Sequence, residues 1–320
     1  MRAVKNPYVP AVELGPCDIS AYRNRSGAIE YVTSLDSGHP GPHVMINALT
    51  HGNEVCGAHA LRFLFENDVR PVRGRLTLSF ANVAAYLRFD PSAPFDSRFV
   101  DEDFNRIWEP AVLDGASNSI ELTRAREMRP LIDTVDLLLD LHSTSLPNAP
   151  MLLAGATSQG LDLARAIAYP AQVVIDSGHA SGRRMRDYGS FGDPRSPKSS
   201  LLVECGQHFE TSAAAVAIET ALRFLRHADI AGPSIRDLVP DDHPPKQTVT
   251  RITEAITIAS EDFAFEREFE GFEIIPDAGA LIARDGDTEY RTPYDDCVMV
   301  MPARDILPGL TAVRLGRIVE

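Results

Sequence analysis

The stretch VDLLLDL, residues 135–141, is almost continuously apolar over seven positions. Such a run suits a strand covered on both faces, the situation of an interior strand in a mainly parallel sheet. A chain that must bury such a strand needs helices on either side of it. The surrounding sequence supplies them: up to about residue 230, short apolar runs alternate with helical periodicity. Strands are expected at 43–49, 75–83, 135–141, 151–153, 172–175 and 200–203. Helices are expected at 54–67, 118–132, 160–168 and 212–228. This alternation predicts an α/β fold with a mixed, mainly parallel sheet flanked by helices.

The composition changes at residues 232–247, GPSIRDLVPDDHPPKQ, which hold four prolines and no clear period. Beyond them, FEIIP, ALIARDG and EYRTPYDDCVMVMP read as short strands broken by Gly, Pro and Asp. The expected organisation is a catalytic domain over residues 1–235 and a small C-terminal all-β domain over 236–320.

Within the first part, His51 and Glu54 stand at a strand-to-helix turn in THGNE. On its own the pair reads as an ordinary polar loop, with Glu54 favouring the helix N-terminus and His51 solvated. His142 follows VDLLLDL at the carboxyl end of the buried strand, where open α/β sheets place ligands. Two histidines and one carboxylate, with a fourth position left free, are the composition of a catalytic zinc site. Asp140, two residues before His142, shares its side of the strand and can orient it. Glu204, in SSLLVECGQH, ends another apolar run and offers a carboxylate for proton transfer. Residues 97–109, SRFVDEDFNRIWE, add Arg98, Asn105 and Arg106, side chains suited to holding a carboxylate or an oxyanion.

In order, the motifs H-G-N-E, R-x-x-D-x-D-x-N-R, D-L-H-x-T and V-E-x-G resemble the succinylglutamate desuccinylase/aspartoacylase family, which has a zinc carboxypeptidase-like fold. The resemblance covers roughly residues 40–210. It implies one Zn2+ per chain held by His51, Glu54 and His142, with Glu204 as general base. Arg98 would polarise the scissile carbonyl, while Asn105 and Arg106 would hold a substrate carboxylate. The family's further arginine before the catalytic glutamate is expected at Arg195, the nearest to Glu204 among Arg183, Arg184, Arg186 and Arg195. The tyrosine that the family's C-terminal domain lends to the pocket is expected at Tyr290, with Tyr294 the other candidate. The implied activity is hydrolysis of the amide bond of a small N-acyl amino acid. A carboxypeptidase-like peptidase and a non-catalytic metal-binding module of the same fold are the alternatives.

His59 reads as a packed or surface residue, and His179 and His208 as neighbours of the site without a role in it. Cys205, alternating away from Glu204, reads as core. A net charge of −14 argues against a nucleic-acid partner. No stretch of eighteen apolar residues predicts a membrane span. The four cysteines form no CxxC pair, which fits a reduced, cytoplasmic protein without disulfides. The sequence is compatible with a homo-oligomer.

Overall fold

A computed structural model of the chain describes residues 10–25, 29–178, 181–235, 237–240, 244–303 and 305–320. The chain enters through β1 (Val32–Asp36) and β2 (His43–Ala48), then α1 (Cys56–Glu66), β3 (Arg75–Phe80) and the short helices α2 (Val83–Tyr86) and α3 (Pro110–Leu113). It continues through α4 (Ile120–Ile132), β4 (Leu137–Thr144), β5 (Met151–Leu153), α5 (Ser158–Ile167), β6 (Gln172–Ile175), β7 (Ser199–Gln207) and α6 (Thr211–Ala228). The last third holds β8 (Thr248–Thr257), β9 (Phe263–Phe265), β10 (Glu273–Ile275), β11 (Leu281–Asp285), β12 (Thr288–Arg291), β13 (Cys297–Val300) and β14 (Thr311–Ile318).

Eleven strands form one sheet in the order β1-β3-β2-β4-β7-β5-β6-β8-β14-β13-β10. Its centre, β3-β2-β4-β7, is parallel. β4 and β2 are buried almost throughout, as the unbroken apolar run predicts. Alternate residues divide the two faces. Val44, Ile46, Leu139, Leu141, Leu201 and Val203 pack in a cluster with residues of α1, α5 and α6. Met45 and Leu138 point the other way, into a cluster with α4 and Trp108. Asn47, Asp140, His142 and Glu204 alternate onto this second face.

Local signals set the helix ends. Ser119 Oγ accepts from Leu122 N at 2.9 Å and caps α4. Thr157 caps α5, which ends at Ala168 in the left-handed conformation, φ 58°. The strand expected over 75–83 stops at Phe80, because Asn82 starts the short helix α2 with its side chain accepting from Ala85 N. β4 and β7 run three and four residues past their expected ends of 141 and 203, so His142 and Glu204 lie within strands.

The C-terminal region is β-rich as expected, and β12-β11-β9 form a separate antiparallel sheet. The large sheet does not stop at residue 235. β8 pairs in parallel with β6, and β14, β13 and β10 extend the same sheet antiparallel. Val298 and Val300 on β13 pack against Met151, Leu153, Val174 and Leu202. The C-terminal strands therefore curl over the face that carries His142 and Glu204. Among the described residues, no helix is long and apolar enough to cross a membrane.

Removing residues 236–320 leaves β6 without its neighbour and uncovers the Met151–Leu153–Val174–Leu202 cluster. The truncated chain is expected to unfold at lower denaturant than the full chain and to bind a hydrophobic dye. An unchanged urea midpoint would show that the sheet continuity adds nothing to stability.

Candidate active site

Strand register brings the site together. β4 and β7 pair so that His142 and Glu204 are direct Cα partners, and β2 pairs Asn47 with Asp140. The loop from β2 to α1 then carries His51 and Glu54 over the same strand ends. Gly52 is required in that loop. A Cβ there would lie 2.4 Å from Ser97 O and 2.5 Å from the backbone of Ala85 and Tyr86. Its N–H donates to Arg98 O at 3.0 Å, which docks the loop on the segment that supplies Arg98.

His51, Glu54 and His142 are all buried, and one ligand atom from each lies within 4.8 Å of the others. His51 Nδ1 is 2.7 Å from Glu54 Oε1, and His142 Nδ1 is 2.7 Å from Glu54 Oε2. Each ring turns its other nitrogen to a second carboxylate. His142 Nε2 is 2.8 Å from Asp140 Oδ2, and His51 Nε2 is 2.9 Å from Asp103 Oδ1. A neutral imidazole has a single N–H. A neutral His142 that donates its Nε2–H to Asp140 leaves its Nδ1 lone pair facing Glu54, whereas His51 Nε2 also lies 2.9 Å from the donor Arg98 Nη2, which puts a neutral ring's proton on Nδ1, toward Glu54 Oε1; both assignments follow from the hydrogen-bond network. Glu54 Oε2 makes no hydrogen bond of acceptable geometry despite the 2.7 Å approach of His142 Nδ1. A carboxylate oxygen and a ring nitrogen at that distance in a buried place require a proton or a cation between them: burial works against the protonated His142 ring, but Asp140 and Glu54 outweigh it and raise its pKa well above the ordinary value. The group can bind a metal, and its two imidazoles and one carboxylate, each ring steadied by an outer carboxylate, are a donor set that fits one.

The outer carboxylates are themselves held. Asp140 Oδ1 accepts from Asn47 Nδ2 at 2.8 Å and from Thr50 Oγ1 at 2.9 Å. Asp103 Oδ2 accepts from Arg98 Nη2 at 3.0 Å, and its Oδ1 accepts from Asn105 N at 2.8 Å. Burial pushes the Asp103 carboxyl up, but His51 and Arg98 outweigh it and hold the group well below its ordinary range.

Glu204 is 7% exposed, and its Oε2 has no hydrogen-bond partner. Burial pushes its carboxyl up to about 8. His142 and Arg98 pull against this, while Glu54 and Asp140 add to it. A carboxyl poised in this way beside a metal-binding group is suited to taking and returning a proton.

Arg98 is about a third exposed and lies over the same group, with Nη1 3.6 Å from Glu54 Oε1. Asn105 is buried, and its Oδ1 accepts from Met185 N at 2.9 Å. That bond ties the 98–108 segment to residues 182–187, which also meet in a bridge between Ile107 and Arg183. The close approach requires Gly182, at φ +140°, where a Cβ would lie 2.1 Å from Arg106 O. Arg106 donates to Asn105 O and has no acid within ion-pair distance among the described residues. Burial lowers its pKa to about 10; Asp103 opposes this, and Arg98, Arg184 and Arg314 add to it.

Two expectations need correction. Arg195 does not reach this cluster: its side chain is 88% exposed and is committed to Asp193, two residues earlier in the same turn. Tyr290 lies on β12 in the small sheet, its ring 6.1 Å from that of Phe263, so it serves the C-terminal cluster. Tyr294 bonds Thr253 and is equally occupied there. In their place the structure gathers Arg184 and Arg314. Arg184 is buried and paired through both terminal nitrogens with Asp176, at 2.6 and 3.0 Å. Arg314, on β14, lies 3.9 Å from Asp176 Oδ2. Neither was separable in the sequence from other arginines of loops and strands.

His208 is buried, with Nδ1 2.8 Å from Ser143 Oγ and its ring against Phe209. Burial pushes its pKa down to about 3, so it packs as a neutral ring. His59 bonds Gly15 O, and Cys205 lies in the core, both as expected. His179 lies outside the described residues.

The sequence also concealed Glu121, a fully buried acid on α4. Its carboxylate accepts from Val100 N at 2.7 Å, Asp101 N at 3.1 Å, Glu102 N at 3.3 Å and Asn82 Nδ2 at 3.0 Å. It thereby fixes the backbone between Arg98 and Asp103. Only the loop's folded path makes these amides converge, so no spacing in the sequence signals it. Glu121→Ala strands several buried donors and should cost at least about 2 kcal/mol of stability in urea unfolding. Glu121→Gln, which keeps one acceptor oxygen, should lose less. A fully stable Glu121→Ala would mean the loop is held by other contacts.

Comparison with known proteins agrees with this geometry. A family model described as succinylglutamate desuccinylase/aspartoacylase catalytic domain matches residues 40–229, more than half of the chain. The fold is similar to that of a succinylglutamate desuccinylase from Vibrio cholerae, with a TM-score of 0.65 and 18% identity over 91% of this chain and 86% of that one. It is equally similar to a succinylglutamate desuccinylase/aspartoacylase from Rhodobacter sphaeroides, with a TM-score of 0.65 and 16% identity over 96% and 94%. An N-acyl-aromatic-L-amino acid amidohydrolase (carboxylate-forming) of Rattus norvegicus is 25% identical over 129 residues, which span 38% of this chain and only 39% of the rat protein.

Proposed function

Because the chain belongs to the succinylglutamate desuccinylase/aspartoacylase family, we propose that it is a zinc-dependent amidohydrolase that removes the acyl group from the nitrogen of a small N-acyl amino acid or related compound. The observation that carries this reading is the buried Glu54 carboxylate set between two imidazole Nδ1 atoms, with the Glu204 carboxyl in register beside His142.

In this reading His51, Glu54 and His142 hold one zinc ion per chain. Bound there, zinc supplies the Lewis acidity that activates water and polarises a carbonyl. Glu204 takes a proton from the attacking water and returns it to the departing nitrogen. Its unpartnered Oε2 supports this role, because a carboxylate already saturated with hydrogen bonds is a poor proton shuttle. Arg98, steadied by Asp103, presents positive charge towards the carbonyl oxygen as negative charge develops on it. Arg106, half-buried and with no acid at ion-pair distance among the described residues, holds the substrate carboxylate together with Asn105, and so sets the amide between Arg98 and Glu204. The C-terminal strands narrow the entrance to small substrates. Four free, buried cysteines suit a reducing, cytoplasmic setting.

Metal analysis of the purified protein should find one zinc per chain, strongly reduced in His51→Ala and His142→Ala. Asp140→Ala keeps all three ligands but frees the His142 ring, and its zinc affinity should fall by about 10- to 100-fold. Full zinc retention in both histidine variants would remove this site from the account.

Activity is tested by incubating the zinc-loaded protein with N-acyl amino acids and detecting the free amine. Glu204→Gln should keep its zinc while turnover falls by at least about 100-fold. Near-normal turnover in that variant would assign the proton to another group. Cleavage of peptides but not N-acyl amino acids would favour a carboxypeptidase-like reading, and no turnover on either would favour a binding module.

A further inference from the structure

β1 is an outer strand of the large sheet, and alternation puts its Thr33 and Leu35 on one face. Ser34, between them, turns the other way and meets Thr77 Oγ1 at 2.8 Å. Where the Thr33 face meets the C-terminal end of α1 there is a cavity of about 150 Å3, lined by Thr33, Leu35, Phe65 and Val69 together with Arg25, Asp68 and Arg70. A single water needs about 10–15 Å3 of such space. The cavity therefore has room for a molecule of several heavy atoms.

The lining has three chemistries. Thr33 is 2% exposed, and its Oγ1 has no hydrogen-bond partner among the described residues. A buried hydroxyl in that condition forfeits the hydrogen bonds that water would give it. Arg25 lies over the Phe65 ring, its guanidinium carbon 4.8 Å from the ring centroid and 5.6 Å from that of Tyr22. Stacked there, it has no acid at ion-pair distance among the described residues, and its N–H donors are open to an anion. Asp68, the acid of the lining, is already taken by Arg70 Nε at 2.8 Å. Leu35, Phe65 and Val69 supply an apolar wall.

We propose that this cavity is a binding site for a short-chain monocarboxylate. The carboxylate takes the Thr33 hydroxyl and the Arg25 guanidinium, and the alkyl chain lies against Leu35, Phe65 and Val69. A second charge on the ligand would fall on the apolar wall, which selects against dicarboxylates. The eleven residues of α1 separate the cavity from the loop that carries Glu54, a span of roughly 16 Å at 1.5 Å per residue. The site is therefore apart from the reaction centre and does not rest on the amidohydrolase reading. An occupant joins outer strand β1 to α1 and stabilises the fold in proportion to its occupancy.

The test is calorimetric titration of the zinc-loaded protein with propionate and with propionamide, which has a similar shape and no charge. Arg106 offers a carboxylate contact at the reaction centre, so the titrations are run in the wild type and in Arg106→Ala, each with and without Thr33→Val or Arg25→Gln. Propionate should still bind Arg106→Ala, with propionamide at least about tenfold weaker. Adding Thr33→Val or Arg25→Gln should weaken propionate by about tenfold or more. Thr33→Val removes a hydroxyl without a partner and keeps a β-branched strand residue, so it should fold as the wild type does, and it should lose the upward shift in Tm that propionate causes. Arg25 is exposed, so Arg25→Gln gives a second variant whose folding is not at stake. Propionate binding that vanishes in Arg106→Ala and ignores both Thr33→Val and Arg25→Gln would assign all of it to the reaction centre and overturn the site. No propionate binding, or propionamide binding as tightly as propionate, would overturn it as well.

Discussion

The Glu54 carboxylate, set between two imidazoles whose Nδ1 atoms both face it, is the constraint on which the rest of this structure turns. Buried anions are costly unless a positive charge meets them. Here both rings are turned by outer acids, Asp140 and Asp103, so that their Nδ1 atoms point inward. The parallel register of β2, β4 and β7 serves this arrangement, since it puts Asn47 beside Asp140 and Glu204 beside His142. A slip of one residue in β4 would turn His142 into the opposite core.

A second constraint is the placement of charge. The chain carries a net charge of −14, yet arginines 98, 106, 184 and 314 gather over one face of the sheet. An excess of acid over the whole chain repels anions at a distance, so the local cluster must do the attracting. Two of these arginines come with paired acids, Asp103 and Asp176, that fix their positions. Rigid positioning of this kind lets a small substrate be held without reorganisation of the pocket.

Much of this was legible in the sequence, for identifiable reasons. VDLLLDL reads as an interior strand, and the carboxyl end of such a strand is where open α/β sheets place ligands. His51, Glu54, His142 and Glu204 were found because each follows an apolar run in the sequence and the four motifs occur in the order the family resemblance implies. β8 and β14 were not, since both expose one side and interrupt their apolar pattern with Arg251 and Arg314. Arg314 looks like a surface residue until Asp176, distant in sequence, is brought to it. Arg195 was favoured by its closeness to Glu204 along the chain. That measure fails because residues 185–192 fold into short helical turns that carry Arg184 and Arg186 inward and leave Arg195 outside. Glu121 gave no signal at all, because its four donors converge only in three dimensions.

The central claim is that a cation belongs between Glu54 and the two inward-facing nitrogens. Anomalous diffraction from crystals of the zinc-loaded protein tests it most directly. The account predicts one peak per chain, bound by Nδ1 of His51, Nδ1 of His142 and the carboxylate of Glu54, with Nε2 of each ring still on Asp103 and Asp140. A peak at other residues, ligation through Nε2, or no peak in fully loaded crystals would contradict it.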